Sequence, residues 1–269
     1  MKTKARIVIL CLILIFLIPW TVLAVPLSLE KNIKAISAGW PELEKGFDFI
    51  VLGDNRGNEE TFKRLLDRAK TFRPLFLIHT GDLVTNGQAW EYEDYQKWIA
   101  DFSTPILTIP GNHDVWHDPT NYRRFVGENN WSFDLGRWRF IGLDNSNGKF
   151  SHETVEFARE RLTKEKVCLV AFHKPPAVGR WKVHAMLDDS KGGRGGEVMK
   201  LIETAGVPMV FLGHIHLYDA MVIDGVQYVI SGAGGAPLYK KYGFGEAEYG
   251  FVWVQVRPEG VSHRWVPLQ

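Results

Sequence analysis

The stretch FIVLGDNRGN, residues 49–58, ends a run of apolar residues in an aspartate, an amide, an arginine and a glycine. Such a run is typical of a strand that is buried on both faces, and the polar residues then follow its carboxyl end. Ligands of open α/β sheets bind outside the carboxyl ends of the strands. The side chains of Asp54 and Arg56 could therefore bind a metal ion, bind a phosphate, or neutralise each other.

Outward from this stretch, apolar runs alternate with amphipathic segments. Helices are predicted over 59–72, 89–102, 152–164 and 197–205, and strands over 47–53, 75–80, 106–109, 131–135, 138–143, 167–172 and 208–212. From Asp219 onward the pattern is rich in strands, with turns at Asp224-Gly225 and Glu259-Gly260. Alternating βα units followed by hairpins predict an α/β fold with two sheets flanked by helices, which we interpret as one domain over 26–269.

The composition excludes several classes of protein. With 269 residues, 45% of them hydrophobic, the chain is long enough for one domain with a large core. A formal net charge of +1, without a basic block, gives no indication of a nucleic-acid partner. Cys11 and Cys168 lie in separate apolar runs, so neither a structural disulfide nor a cysteine-based zinc site is expected.

Residues 1–25 are predicted to be a signal peptide or a membrane anchor. Three basic residues precede an uncharged apolar stretch over 7–25: Lys2, Lys4 and Arg6. This order is typical of an export signal, yet the stretch is also long enough, at about 20 residues, to span a bilayer. Because the positive flank stays inside, both interpretations place residues 26–269 outside the cytoplasm, and the second would tether them to a membrane. A buried N-terminal helix is the third interpretation.

Five separate apolar runs end in Asp, Asn or His. They read FIVLGD, LFLIHTGD, ILTIPGNHD, CLVAFHKPP and VFLGHIH, and they supply Asp54, Asp82, Asn112, His113, Asp114, His173, His214 and His216. One such ending is usually a turn or a core histidine, whereas five together are expected to converge on one crevice. Four glycines beside these residues would let the backbone turn sharply: Gly53, Gly81, Gly111 and Gly213.

The predicted ligands form a mixed oxygen and nitrogen donor set without a thiolate. Two carboxylates, one amide oxygen and three imidazoles suit Mn, Fe, Zn or Mg. Six ligands exceed what one catalytic ion with an open position needs, but they can serve two ions about 3.5–4 Å apart that share a carboxylate. The sequence therefore predicts two divalent or trivalent metal ions, which would generate hydroxide at neutral pH and neutralise a phosphate.

The ordered motifs GD at 81–82, GNHD at 111–114, a lone histidine at 173 and GHxH at 213–216 resemble those of the calcineurin-like metallophosphoesterase superfamily. The resemblance implies a double β-sandwich flanked by helices. It also implies metal-ligand roles: Asp82 would bridge the ions, Asn112, His173 and His214 would complete one site, and Asp54 and His216 would serve the other. By the same resemblance, His113 would protonate the leaving oxygen or stabilise the transition state, oriented by Asp114.

The first motif departs from the superfamily pattern Asp-x-His, because Arg56 stands at the position of the histidine. A guanidinium offers no lone pair to a metal ion. Arg56 could bind substrate phosphate, could replace one ion and leave a one-metal centre, or could point away and pair with a carboxylate. Asn55 is a further candidate for substrate binding, and its amide oxygen is an alternative to water as a ligand of the first site.

The resemblance implies a metal-dependent phosphoric ester hydrolase, for monoesters or diesters, in which metal-bound hydroxide attacks phosphorus in line. The alternative is a non-catalytic extracytoplasmic binding module on the same fold, with a metal site impaired by Arg56. An enzyme of membrane lipid or envelope precursors is a third hypothesis, which the apolar N-terminus permits. Trp116 and Trp181 are the tryptophans expected to line a substrate groove.

Overall fold

The computed structural model describes residues 28–38, 45–187 and 193–269. The predicted signal peptide or anchor, residues 1–25, lies outside the described residues. Within the described ranges, no helix combines the length and the apolar character needed to cross a membrane.

The described residues form six α-helices and eleven strands. The helices are α1 Leu29–Ala38, α2 Glu59–Lys70, α3 Ala89–Ile99, α4 Pro119–Phe125, α5 His152–Arg161 and α6 Arg194–Ala205. The strands are β1 Phe47–Leu52, β2 Leu77–His79, β3 Ile106–Thr108, β4 Trp131–Leu135, β5 Trp138–Gly142, β6 Val167–Ala171, β7 Met209–Leu212, β8 Tyr218–Ile223, β9 Val226–Ser231, β10 Gly250–Arg257 and β11 Gly260–Pro267. Two short 3₁₀ helices cover Gly179–His184 and Lys240–Tyr242.

The strands form two mixed sheets. The first has the order β11-β10-β1-β2-β3 and the second the order β4-β5-β6-β7-β9-β8. Strands β1, β2 and β3 run parallel, and so do β5, β6, β7 and β9, whereas the hairpins are antiparallel. The predicted α/β architecture of two sheets flanked by helices is confirmed.

Strand β1 shows why the opening apolar run decides this architecture. Phe49 and Val51 belong to the core between the two sheets, whereas Ile50 and Leu52 belong to a second core on the helix side of the first sheet. The Phe49 ring lies 5.6 Å from the ring of Phe211 on β7 in the opposite sheet. Side chains alternate along a strand, so both faces of β1 must be apolar for both cores to form.

Two helices lie outside the segments predicted to be helical. Helix α1 precedes the first predicted strand, and its Leu29 and Ile36 are buried. Leu29, Ile33 and Ile36 follow the i, i+4, i+7 spacing of one helical face, but the segment has only ten residues, and α1 is held by contacts with β3 and β4. Helix α4 has only seven residues and starts with Pro119. Asp118 is its N-cap, because its carboxylate accepts a hydrogen bond from the Thr120 amide at 2.9 Å.

Candidate active site

The carboxyl ends of β1, β2 and β3 in one sheet meet those of β6 and β7 in the other. Hydrogen bonds from His173 and His214 join these ends across the sheets. His173 donates through Nδ1 to the Thr80 carbonyl at 2.8 Å, and the His214 amide donates to both carboxylate oxygens of Asp54 at 3.0 Å. The strand ends therefore form one continuous cluster of polar side chains, at the place predicted from the sequence.

Two groups of ligand atoms share Asp82. One group consists of Asp82, His173 and His214, and the other of Asp54, Asp82 and His216, with the ligand atoms of each group within 4.8 Å of one another. The amide oxygen of Asn112 lies 3.2 Å from Nε2 of His173 and so adjoins the first group. The structure brings together all six side chains proposed as ligands and divides them as the resemblance implied, while metal binding itself stays a prediction.

The histidine rings are oriented so that a lone pair faces the centre. Nδ1 of His173 bonds to the Thr80 carbonyl, and Nδ1 of His216 bonds to the Pro237 carbonyl at 2.9 Å. A carbonyl oxygen only accepts, so in the neutral rings each Nδ1 carries the proton and each Nε2 keeps its lone pair. Burial lowers the pKa of His216 to about 4, which keeps its ring neutral at pH 7.

Acceptor atoms face one another in this centre. Nε2 of His173 lies 3.5 Å from a carboxylate oxygen of Asp82, and Nε2 of His216 lies 3.6 Å from one of Asp54. Oδ2 of Asp82 is buried and has no hydrogen-bond partner. Burial, and then the neighbouring Asp82, raise the pKa of Asp54 well above its usual range. Facing acceptors and crowded buried carboxylates are the arrangement that bound cations would stabilise, so these residues fit metal ions.

The backbone beneath the ligands is strained. Three of the candidate ligands have positive φ: Asp54 at 62°, Asp82 at 57° and His214 at 68°. Gly81 also has a positive φ of 96°, and a Cβ atom at Gly111 would lie 2.2 Å from Oδ1 of Asp82. Strain of this kind is concentrated at functional sites, where the surrounding structure maintains it.

Asp114 does not contact the His113 imidazole, so the role expected for it is wrong. Its buried carboxylate accepts hydrogen bonds from four backbone amides: Asp82 at 2.8 Å, Leu83 at 2.8 Å, Val84 at 3.1 Å and Gly111 at 2.7 Å. The Thr85 carbonyl instead bonds Nδ1 of His113 at 2.7 Å. Asp114 therefore joins the loops after β2 and β3, and Thr85 orients the histidine.

The placement of Asn55 also contradicts the role expected for it. Asn55 is fully buried, its amide nitrogen donates to the Leu83 carbonyl at 2.9 Å, and its amide oxygen accepts from Nε2 of His79 at 2.9 Å. Contact with a substrate or an ion would require these bonds to break. Asn55 positions the loop that carries Asp54 and Arg56, and neither the pattern nor the motif indicated the His79 contact.

Arg56 lies beside the ligand group of Asp54 and His216: its charge partly offsets the burial that raises the pKa of Asp54 and adds to the burial that lowers the pKa of His216. Its amide donates to the Asp82 carbonyl at 3.1 Å, and its carbonyl accepts from the Thr85 hydroxyl at 2.8 Å. The Nε atom is buried without a hydrogen-bond partner. No carboxylate of the described residues forms an ion pair with Arg56, which disfavours the interpretation that it points away and is neutralised there.

Two aromatic stacking contacts beside the candidate metal ligands were not predicted from the sequence. Tyr239 stacks on His216 with ring centroids 4.3 Å apart, and His184 stacks on Tyr239 at 5.0 Å. Tyr239 stands outside every motif, so no sequence signal indicated this contact. Trp181 is fully buried and donates from its indole to Asp219 at 2.7 Å, so its predicted place in a groove is wrong. Trp116 is 69% exposed and lies beside His113.

His79 is expected to make the protein less stable in mild acid. Burial lowers the pKa of His79 to about 3, and its unpartnered Nδ1 is buried. The unfolded chain binds this proton below its ordinary pKa of about 6.5, so stability is complete above that pH and falls as the pH drops toward 3. Between pH 7 and pH 5 the loss attributable to His79 is about 2 kcal/mol.

The measurement compares wild type with His79→Gln, whose side-chain amide keeps a donor for Asn55. Urea unfolding of both proteins in EDTA at pH 7 and pH 5 gives the two slopes with pH. The variant should lose less stability than wild type by about 2 kcal/mol. Equal losses in both proteins would show that His79 does not titrate in this range.

Comparison with known proteins shows relatives that carry phosphoesterase names. The profile of the calcineurin-like phosphoesterase family matches residues 47–218. A 3',5'-cyclic-nucleotide phosphodiesterase of Nostoc sp. is 28% identical over 171 residues, which are 58% of this chain and 62% of that protein. The serine/threonine-protein phosphatase CPPED1 of Bos taurus is 28% identical over 249 residues, or 80% of this chain and 77% of the relative.

Among solved structures, a purple acid phosphatase from yellow lupin seeds superposes with a TM-score of 0.66. The superposition covers 84% of this chain and 52% of that chain at 16% sequence identity, so the likeness concerns the fold. The family profile, by contrast, covers more than half of this chain and includes every strand end described above. The chain belongs to the calcineurin-like phosphoesterase family.

Proposed function

We propose that this chain is a metal-dependent phosphoesterase whose centre holds two ions. The observation that carries the proposal is the shared Asp82 carboxylate, which belongs to both groups of ligand atoms. Its Oδ1 accepts the His113 amide at 2.9 Å, while Oδ2 is buried without a partner. Phosphodiesterases and phosphatases both occur among the relatives, so the proposal covers monoesters and diesters.

Ions held by these residues would supply Lewis acidity toward the phosphate oxygens and an activated water at neutral pH. Asp82, Asn112, His173 and His214 would hold one ion, and Asp54, Asp82 and His216 the other. The backbone carbonyls behind His173 and His216 keep both rings in one tautomer, which is the arrangement that fixes a ligand before the substrate arrives.

His113 is the residue that we assign to proton transfer. Its Nδ1 is bonded to the Thr85 carbonyl, so Nε2 is the ring atom that can hold or deliver a proton to the leaving oxygen. The hydrogen bond between its amide and Asp82 keeps the ring beside the ions' ligands. A proton delivered there would prevent negative charge from building up on the departing alkoxide.

Arg56 and Lys174 supply positive charge around the centre. The unpartnered Nε of Arg56 lies in the neighbourhood of Asp54 and His216, where a guanidinium can bind two phosphate oxygens at once. Lys174 follows His173 directly, and burial lowers its pKa while the Asp82 carboxylate raises it. Two cations at the rim of a metal centre favour an anionic ester over a neutral one.

The test is metal stoichiometry and hydrolysis measured on wild type, Arg56→Ala and Arg56→His. After purification in excess Mn and Fe, wild type should contain about two ions per chain and hydrolyse p-nitrophenyl phosphate or its bis-diester. Arg56→Ala should keep both ions and raise KM about ten-fold, since it removes a charge-assisted contact to phosphate.

Arg56→His separates the interpretations of this residue, because histidine can act as a metal ligand. About one ion in wild type and about two in Arg56→His would show that the guanidinium replaces an ion, and the two-metal proposal would then be withdrawn. A wild-type protein without metal and without hydrolysis would favour a non-catalytic binding module.

A further inference from the structure

We propose that Trp116 contacts the leaving group of the ester and gives this enzyme a preference for leaving groups that carry a planar ring. The role rests on the proposed function, because it takes His113 as the residue next to the leaving oxygen. It goes beyond that function by naming the class of ester and the side chain that selects it.

Trp116 is exposed although its side chain is large and apolar. Five large hydrophobic side chains are exposed in the described part of the chain: Trp90, Trp116, Val178, Leu187 and Val222. Among these five, the structure gives only Trp116 a ring contact with a residue of the candidate active site, with its centroid 5.0 Å from that of His113. Single exposed hydrophobic residues are common, so this contact and not the exposure distinguishes Trp116.

The segment that carries Trp116 is held on both sides. Before it, His113 is bonded to Asp82 and to Thr85. After it, the His117 amide donates to the Asn86 carbonyl at 3.0 Å, and Asp118 caps helix α4. The indole is thus attached to a fixed loop beside the centre, so binding a ligand against it would require little ordering of the backbone.

The geometry next to His113 determines what Trp116 would select. The indole and imidazole planes are inclined by 47°, so the exposed indole lies beside the ring that serves the leaving oxygen. Aromatic rings attract one another at centroid distances of about 4.5–7 Å, in offset or edge-to-face arrangements. A ring attached to the leaving oxygen can reach this distance, whereas a methyl group cannot cover the indole.

The aromatic residues on the other side of the centre are less suited to this role. Tyr239 already stacks with His216 and with His184, and His184 is also bonded to the Tyr242 hydroxyl. These contacts cover the rings of Tyr239 and His184, and the Tyr239 stack orients the candidate metal ligand His216. Trp116, with more than half of its surface exposed, keeps the larger area available to a ligand.

The experiment measures binding of phenylphosphonate and methylphosphonate by calorimetry to the full-length, Mn-loaded protein. Phosphonates have no leaving oxygen to expel, so differences in leaving-group acidity do not enter. Wild type should bind phenylphosphonate about ten-fold more tightly than methylphosphonate, which is the magnitude of one aromatic stacking contact. Trp116→Ala should reduce this preference to about two-fold or less and leave methylphosphonate binding unchanged, while Trp116→Phe should keep most of it.

Trp90→Ala is the matched control, because Trp90 is 59% exposed and makes no ring contact with His113. It should bind both phosphonates as wild type does. The role of Trp116 would be wrong if wild type bound both phosphonates equally well. It would also be wrong if Trp116→Ala weakened the binding of both by the same factor. Neither result would affect the proposed ester hydrolysis. A preference that depends on Trp116 in a protein that hydrolyses no ester would support the contact and refute the proposed function. Binding of neither phosphonate would overturn both.

Discussion

Asp82→Asn is expected to lower turnover by roughly 1000-fold or more and to leave less than about one ion per chain. The substitution keeps an oxygen that can accept the His113 amide, which Asp82 binds at 2.9 Å. It removes the charge that both ligand groups share. Turnover of an aryl phosphate and elemental analysis of the same preparation are the two measurements.

The same variant has a second, opposite effect on the metal-free protein. Burial, and then the charge of Asp82, raise the pKa of both Asp54 and Asp114, as expected for three carboxylates buried in one cluster. In EDTA, Asp82→Asn should therefore be more stable than wild type, by about 1 kcal/mol. With Mn at 100 times its dissociation constant, wild type should gain about 2.7 kcal/mol for each ion bound, or roughly 5 kcal/mol for two, and the variant correspondingly less. A variant that retains a full complement of ions would contradict the bridging role of Asp82.

His113→Ala is expected to lower kcat by about 100- to 10,000-fold and to leave the metal content unchanged. The reason is that the imidazole bonds to the Thr85 carbonyl, whereas the backbone amide, which the variant keeps, bonds to Asp82. The loss should be larger for esters with poor leaving groups, because these depend most on a delivered proton. Measurement of kcat across a series of aryl phosphates gives this dependence directly.

His117→Ala is the control for this series, since His117 is an exposed histidine in the same loop. It should keep both the turnover and the metal content of wild type. Loss of metal in His113→Ala would mean that His113 acts as a ligand, and an equal loss for all leaving groups would exclude it as the proton donor.

Much of the fold was predictable because it depends on short-range patterns. The apolar runs around Phe49 and Leu212 predicted buried strands, and the amphipathic segment at 59–72 predicted helix α2 to within two residues of its observed end at Lys70. Helix α1 was missed although Leu29, Ile33 and Ile36 follow the helical spacing. Ten residues are too few for a stable isolated helix, so its conformation depends on the strands against which it packs.

The candidate active site also has features that were predictable from the sequence and features that were not. The set of side chains that gathers at the strand ends followed from their order in the sequence, since parallel strands present their carboxyl ends at one edge. The partner of each side chain did not follow. Asp114 binds backbone amides about thirty residues away, and Trp181 turns inward to Asp219. These amides lie in the loop after β2, and Asp219 lies in strand β8, so the packing of the two sheets sets both contacts.

The sequence by itself determined that oxygen- and nitrogen-bearing side chains follow the strand ends, and that Arg56 stands where the family motif has a histidine. Only the tertiary structure decided that Arg56 stays beside Asp54 and His216, that Thr85 orients His113, and that Trp116 lies exposed next to that ring. The physical reason is that residue order selects strands and their ends locally. The contacts between loops, in contrast, arise when both sheets pack around a common core. The order of residues along one chain does not specify the distances between loops that are far apart in sequence.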